Sequence, residues 1–173
     1  MRLNVLFPVG LLLLVMNMVS VQAKNIYGLY EKVQLPELNN LEIRSKLDTG
    51  ALTSSFGATD IEFFTKDGVK WVRFKPQVKA LDLPVIEKEL VRHSKIKTRS
   101  DDIGEDQDKS YTKRPVVIMD ICFNGVLYPT EVNLTDRSRF NYPLLLGSSA
   151  LVEYKAVIDP SLKYQSKAEK CKL

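Results

Sequence analysis

The chain has 173 residues, 45% of them hydrophobic and 27% charged, with 8 Gly and 8 Pro. That composition excludes collagen-like, low-complexity and wholly disordered classes, and the length fits one domain with a real core. The formal charge of +4 is small and its acidic and basic residues are interleaved. With no RNA-binding motif, zinc-finger spacing or arginine-rich arm, nucleic acid is not an expected partner.

The N-terminus reads as a secretory leader. Arg2 precedes a mostly apolar run from Val5 to Val19, centred on Leu11–Met16, and Val21-Gln22-Ala23 supplies compact residues for a signal peptidase. The run is about 15 residues long, whereas a membrane span needs about 20. The expected organisation is a signal peptide at 1–23, one domain at 24–165 and a charged tail at 166–173. The expected location is secreted or periplasmic, without a stable membrane span after cleavage. In that oxidising setting Cys122 and Cys171 form either a disulfide tethering the tail to the sheet or one buried and one exposed thiol. His93 has no second histidine at metal-ligand spacing and reads as a surface residue.

The mature chain reads mostly as strands. Leu41–Leu47 alternates apolar and polar side chains, the pattern of a half-buried strand, and runs into Asp48-Thr49-Gly50-Ala51. Ile61–Phe64 and Val69–Phe74 flank Asp67-Gly68, a hairpin signal. Val85–Lys97 suits a strand, although Glu87-Lys88-Glu89-Leu90 equally suits a helical turn. Residues 98–114 form the longest polar stretch. Beyond it, Pro115–Phe123 and Val126–Leu134 flank Asn124-Gly125, a second hairpin signal. Tyr142–Gly147 is an apolar strand closing on glycine, followed by a short helix near Ser149–Glu153 and a strand through Ala156–Asp159. The tail beyond Ser166 reads as frayed. The expected class is all-β, a small barrel or sandwich with at most one or two short helices.

One constellation carries chemistry. A strand ending in Asp48-Thr49-Gly50-Ala51, followed about a hundred residues later by Leu144-Leu145-Leu146-Gly147, resembles the signature of retropepsin-like aspartic peptidases. Arg114-Pro115-Val116-Val117, Leu134-Thr135-Asp136-Arg137-Ser138 and Tyr142-Pro143 narrow the likeness to a bacterial retropepsin-like family that carries the label ATP-dependent zinc protease. The likeness runs over residues 28–160, and its blocks fall in the family's order. The label finds no counterpart here, since the chain has neither a zinc-binding His pair nor a GxxxxGK[ST] loop.

The resemblance implies a closed or pseudo-barrel with catalytic Asp48, Thr49 and Gly50, and with Ala51, Leu146 and Gly147 at the substrate site. It implies no metal and no cofactor, and a peptide or protein substrate. Since the chain carries one Asp-Thr-Gly, an active form would be a homodimer with both Asp48 side chains at its axis. Two paired aspartates share a proton, so one serves as base toward water while the other donates to the scissile carbonyl.

Two departures bear on activity. The family commonly has Arg after Asp-Thr-Gly-Ala and after Leu-Leu-Gly, where this chain has Leu52 and Ser148. Losing both guanidiniums would remove charge-assisted hydrogen bonds around the aspartate loop. The rival function is therefore a non-catalytic periplasmic binding or accessory module on the same barrel. Asp136-Arg137-Ser138 reads as a loop ion pair or turn, and Asn133-Leu134-Thr135 matches a glycosylation sequon. Residues 98–112, polar and containing Gly104, are expected to form the flap over the aspartates, with a remote connector as the alternative.

Overall fold

The structure is a computed structural model and describes residues 24–97, 111–167 and 171. The leader at 1–23 and the flap segment at 98–110 lie outside these residues; Tyr111 and Thr112, at the end of the expected flap, belong to a strand.

Strands make up 64% of the fold and, among the described residues, the one α-helix has fewer than seven residues, so the fold is all-β. In order the strands are β1 (Asn25–Leu35), β2 (Leu41–Asp48), β3 (Ser54–Lys66), β4 (Val69–Pro76), β5 (Ile86–Glu89), β6 (Arg92–Lys97), β7 (Tyr111–Phe123), β8 (Val126–Thr135), β9 (Leu144–Gly147) and β10 (Ala156–Lys163). A 3₁₀ turn, Pro36–Leu38, follows β1, and helix α1 (Ser148–Glu153) follows β9. No helix among the described residues is long and apolar enough to cross a membrane.

Six strands close into a barrel. Around it run β1, β2, β9, β3, β8 and β7, and the circle shuts where Gln34 of β1 pairs with Cys122 of β7. Inward positions carry Leu35, Leu47, Phe56, Met119, Ile121, Leu134, Leu144 and Leu146, all buried. Branched and aromatic residues fit this half-buried pleated surface and supply the apolar burial that drives closure. Strands β10 and β6 extend the sheet beyond β1 and β7.

Strand β3 belongs to two sheets. Ser54–Gly57 pair with β8 in the barrel, and from Ala58 onward the strand pairs with β4 in an arm completed by β5. The Asp67-Gly68 turn has φ of 52° and 79°, and Asn124-Gly125 has 51° and 78°. Positive φ at both central residues matches the twist of the flanking strands, which is why these dipeptides mark hairpins.

The stretch at 85–97 is neither one strand nor a helical turn. The Leu90 N–H donates to Lys70 O of the arm, and the next N–H, of Val91, donates to Val116 O of the barrel sheet, both at 2.9 Å. The chain changes sheets at that point, so its residues form β5 and β6 instead.

Cys122 and Cys171 form the disulfide, with Cα atoms 5.7 Å apart across 49 residues of sequence. Closing such a loop restricts the unfolded chain by about 4 kcal/mol on the chain-entropy account. The C-terminal segment is anchored instead of frayed at its described positions. The N–H groups of Gln165 and Ser166 donate to the Glu31 carboxylate at 2.9 and 2.8 Å, and Lys167 N–H donates to Asn124 Oδ1 at 3.0 Å.

Candidate active site

Asp48 is the last residue of β2, and it pairs in parallel register with Gly147, the last residue of β9. Its carboxylate accepts the Gly50 N–H on Oδ1 at 3.1 Å and meets Lys46 Nζ at 3.2 Å on Oδ2. Asp48 is partly exposed, whereas Thr49 and Gly50 lie at the surface. The three residues expected to carry the chemistry therefore form one surface turn at the rim of the barrel.

The loop beyond them is pinned onto β9 and α1. Ser148 N–H donates to Ala51 O at 2.7 Å, and Ser149 N–H donates to Leu52 O at 3.2 Å. These are first-turn amides of a helix, which have no partner within it. Gly147 N–H donates to Ser54 Oγ at 3.0 Å. A side chain at Gly147 would place its Cβ 2.8 Å from Leu52 O and 2.9 Å from Ala51 O. Backbone that close cannot yield cheaply, so glycine is what allows the aspartate loop to lie flat on β9.

Ala51 is partly exposed, Leu146 is fully buried in the core, and Gly147 is covered by the loop above it. Leu52 is 72% exposed, and Ser148 is used through its backbone. Arg92, from β6, reaches the same loop: its guanidinium binds Glu131 Oε2 at 2.6 Å and Thr53 Oγ1 at 3.4 Å.

Sequence reasoning missed a buried cation, Arg137. Asp136 does make the expected turn, accepting Ser138 N–H at 2.7 Å and Gln77 Nε2 at 2.8 Å. Arg137, however, turns inward and is only 6% exposed. Its Nε donates to Tyr142 O at 3.1 Å, its Nη1 donates to Ser55 Oγ at 3.3 Å, and its guanidinium lies 4.5 Å from the centre of the Phe140 ring. Burial, joined by repulsion from Arg114, pushes its pKa down to about 10, while attraction from Asp48 acts the other way. Burial also lowers the Arg114 pKa. Arg114 Nη1 donates to Asn133 Oδ1 at 3.4 Å, and its Nε is buried without a hydrogen-bond partner. In the sequence Arg137 is one of two arginines in a polar loop, and no periodicity marks one of them as buried.

Asn133, the sequon residue, is also buried, and its Nδ2 donates to Ser54 O at 2.8 Å. That side chain is committed to the barrel and offers no glycan attachment point. His93 packs against Phe63 with ring centres 5.7 Å apart.

Comparison with known proteins agrees with this geometry. The crystal structure of Lpg0085, a Legionella pneumophila protein of unknown function, superimposes with a TM-score of 0.68 at 34% identity, covering 84% of this chain and all of that one. Curated relatives include proteins named probable alpha-L-glutamate ligase from Desulfotalea psychrophila, 29% identical over 149 residues, and Shewanella pealeana, 32% identical over 141 residues. The matches take in 82% and 80% of this chain but only 29% of each of those longer proteins. The profile of the RimB-like retropepsin-like aspartic endopeptidases matches residues 26–169, and with its signature turn, barrel and glycine support in place the chain belongs to that family.

Proposed function

We propose that the chain is an exported aspartic peptidase in which two copies bring their Asp48 carboxylates together to hydrolyse peptide or amide bonds. The observation that carries this reading is the mounting of Asp48: a partly exposed carboxylate on a turn fixed to β9 and α1. Two carboxylates at a dimer axis cannot both ionise comfortably and so share a proton. The ionised one takes a proton from water, and the protonated one donates to the carbonyl oxygen as the water attacks. Gly50 N–H orients the carboxylate, and the support under Gly147 limits its drift. In the dimer Thr49, exposed beside it, would bond across to the partner's turn.

The second reading, a non-catalytic accessory module, draws on two observations. Leu52 presents an alkyl chain to solvent where the family commonly has arginine. The longer relatives are named as ligases, of which a chain like this one forms a minor part.

Hydrolysis of dye-quenched casein by the mature protein between pH 4 and 7, run beside sedimentation analysis, separates the two. The peptidase reading expects a dimer, activity unaffected by chelators, and loss of activity in Asp48→Ala with the fold retained. Full activity in Asp48→Ala, or chelator-sensitive hydrolysis, overturns it. A strict monomer without hydrolysis supports the accessory module. Export is checked by the mass of the periplasmic protein, which should begin at Lys24; an intact Met1 overturns that part.

A further inference from the structure

Strands β1 and β7 close the barrel at one registered pair, Gln34 with Cys122. The closure has a flaw. Gln34 Oε1 is buried there without a hydrogen-bond partner among the described residues, and such an oxygen weakens the fold around it. The C-terminal segment bridges these two strands. Toward β1, Tyr164 N–H donates to Tyr30 O at 2.8 Å and Ser166 Oγ donates to Lys32 O at 2.9 Å. Between them the Glu31 carboxylate takes the Gln165 and Ser166 amides. Toward β7, Lys167 N–H reaches Asn124 Oδ1 just beyond the strand, Cys171 N–H donates to Cys122 Sγ at 3.1 Å, and the disulfide joins the same two cysteines. The covalent end of the segment is therefore Cys122, the β7 member of the closing pair.

We propose that this segment, residues 164–167 with Cys171, is a redox-controlled strap: oxidised it locks the β1–β7 seam, and reduced it lets go while the barrel stands. The strap works in this way whether or not Asp48 is catalytic. Tyr164, Gln165 and Lys167 are exposed. Without the disulfide they are held by hydrogen bonds with little apolar burial behind them, and such segments open locally at low cost. The barrel core is built from strand side chains such as Leu35, Leu47, Leu144 and Leu146, which remain packed. In reduction by a dithiol, the two thiols of the reductant give up two electrons and two protons and join as a disulfide. The Cys122–Cys171 bond breaks and takes them up as two thiols. Cys122 and Cys171 are 2% and 8% exposed, too covered for direct attack by an outside thiolate. The strap must open first, so Glu31, its other fastening, governs how fast the disulfide is reduced.

Two measurements on the whole mature chain test this and need no substrate. Hydrogen exchange read by NMR should show the Gln165, Ser166 and Lys167 amides exchanging about tenfold faster after reduction with dithiothreitol, or in Cys171→Ser, while residues 144–146 stay protected. Unchanged strap amides, or lost protection at 144–146, overturns the proposal. Reduction of the disulfide, followed by thiol titration, should run about tenfold faster in Glu31→Gln than in the wild type. Should Glu31→Gln fail to fold, Ser166→Ala, which loses the bond to Lys32 O, should speed reduction about threefold. Phe74→Leu, a change to a buried residue of the arm, should leave the rate as it is. Matching acceleration there would mean that reduction follows unfolding of the whole chain, and it overturns the strap. An unchanged rate in the Glu31 or Ser166 variant overturns it equally.

Discussion

Glu31 and Arg137 are both charged side chains with almost no surface, and they are held in opposite ways. The Glu31 carboxylate accepts three backbone N–H groups, from Gly28, Gln165 and Ser166, and so joins β1 to the C-terminal segment. Its lone pairs replace water with fixed donors, which makes a buried anion tolerable. Arg137 has two acceptors, a like-charged neighbour and one attracting acid. The contrast separates a buried charge that is fully partnered from one that is only partly so. Glu31 is held by three backbone donors between β1 and the C-terminal segment; Arg137 has fewer partners and lies between Tyr142 and Ser55.

The largest effect expected from breaking this comparison is at Glu31. Glu31→Ala leaves one buried and two partly buried amides without their acceptor and should cost about 3–5 kcal/mol in urea unfolding. Glu31→Gln keeps one acceptor oxygen and should cost about half as much. Equal losses in the two variants would mean that the carboxylate is not what holds the tail.

Arg114→Met should behave in the opposite way. It removes a half-buried charge, the repulsion on Arg137 and an unpartnered Nε, at the loss of one long bond to Asn133. Stability should stay within about 1 kcal/mol of the wild type or rise, read from the same urea curves. A loss of the size seen for Glu31→Ala would place Arg114 among the structural charges.

The smallest effect concerns the loop that carries Arg137. Hydrogen bonds from Ser138 N–H and then from Gln77 hold the Asp136 carboxyl below the usual carboxylate range. Its folded-state pKa is depressed, so its contribution is present above the unfolded value of about 4 and is lost as pH falls through and below that value. Amide NMR shifts of Arg137 and Ser138 should move in that acid window. In Asp136→Asn they should not, because the group that titrates is gone.

Much of the architecture was legible from short-range patterns. Asp67-Gly68 and Asn124-Gly125 announce their hairpins because few other dipeptides accept positive φ twice in succession. The retropepsin-like turn was legible because Asp48 and Gly50 act on one another two residues apart. What escaped were features decided by distant partners. The split of 85–97 depends on Lys70 and Val116, which bind adjacent amides from different sheets. The inward turn of Arg137 depends on Ser55 and Tyr142, and the anchoring of the tail on Glu31, 134 residues before Gln165. Local sequence carries propensity, whereas such contacts exist only once the sheet has closed.

The junction at Leu90 and Val91 also sets how the arm can evolve. A single peptide unit separates an amide bonded to the arm from an amide bonded to the barrel. An added residue there would force one sheet to surrender its register, and with a side-chain period of two every later position would face the wrong way. Length is therefore frozen at this joint, while the Asp67-Gly68 tip of the arm, with nothing within 4 Å of a Cβ at Gly68, stands in open space. The arm can be lengthened or trimmed at its tip without disturbing the barrel, but not at its root.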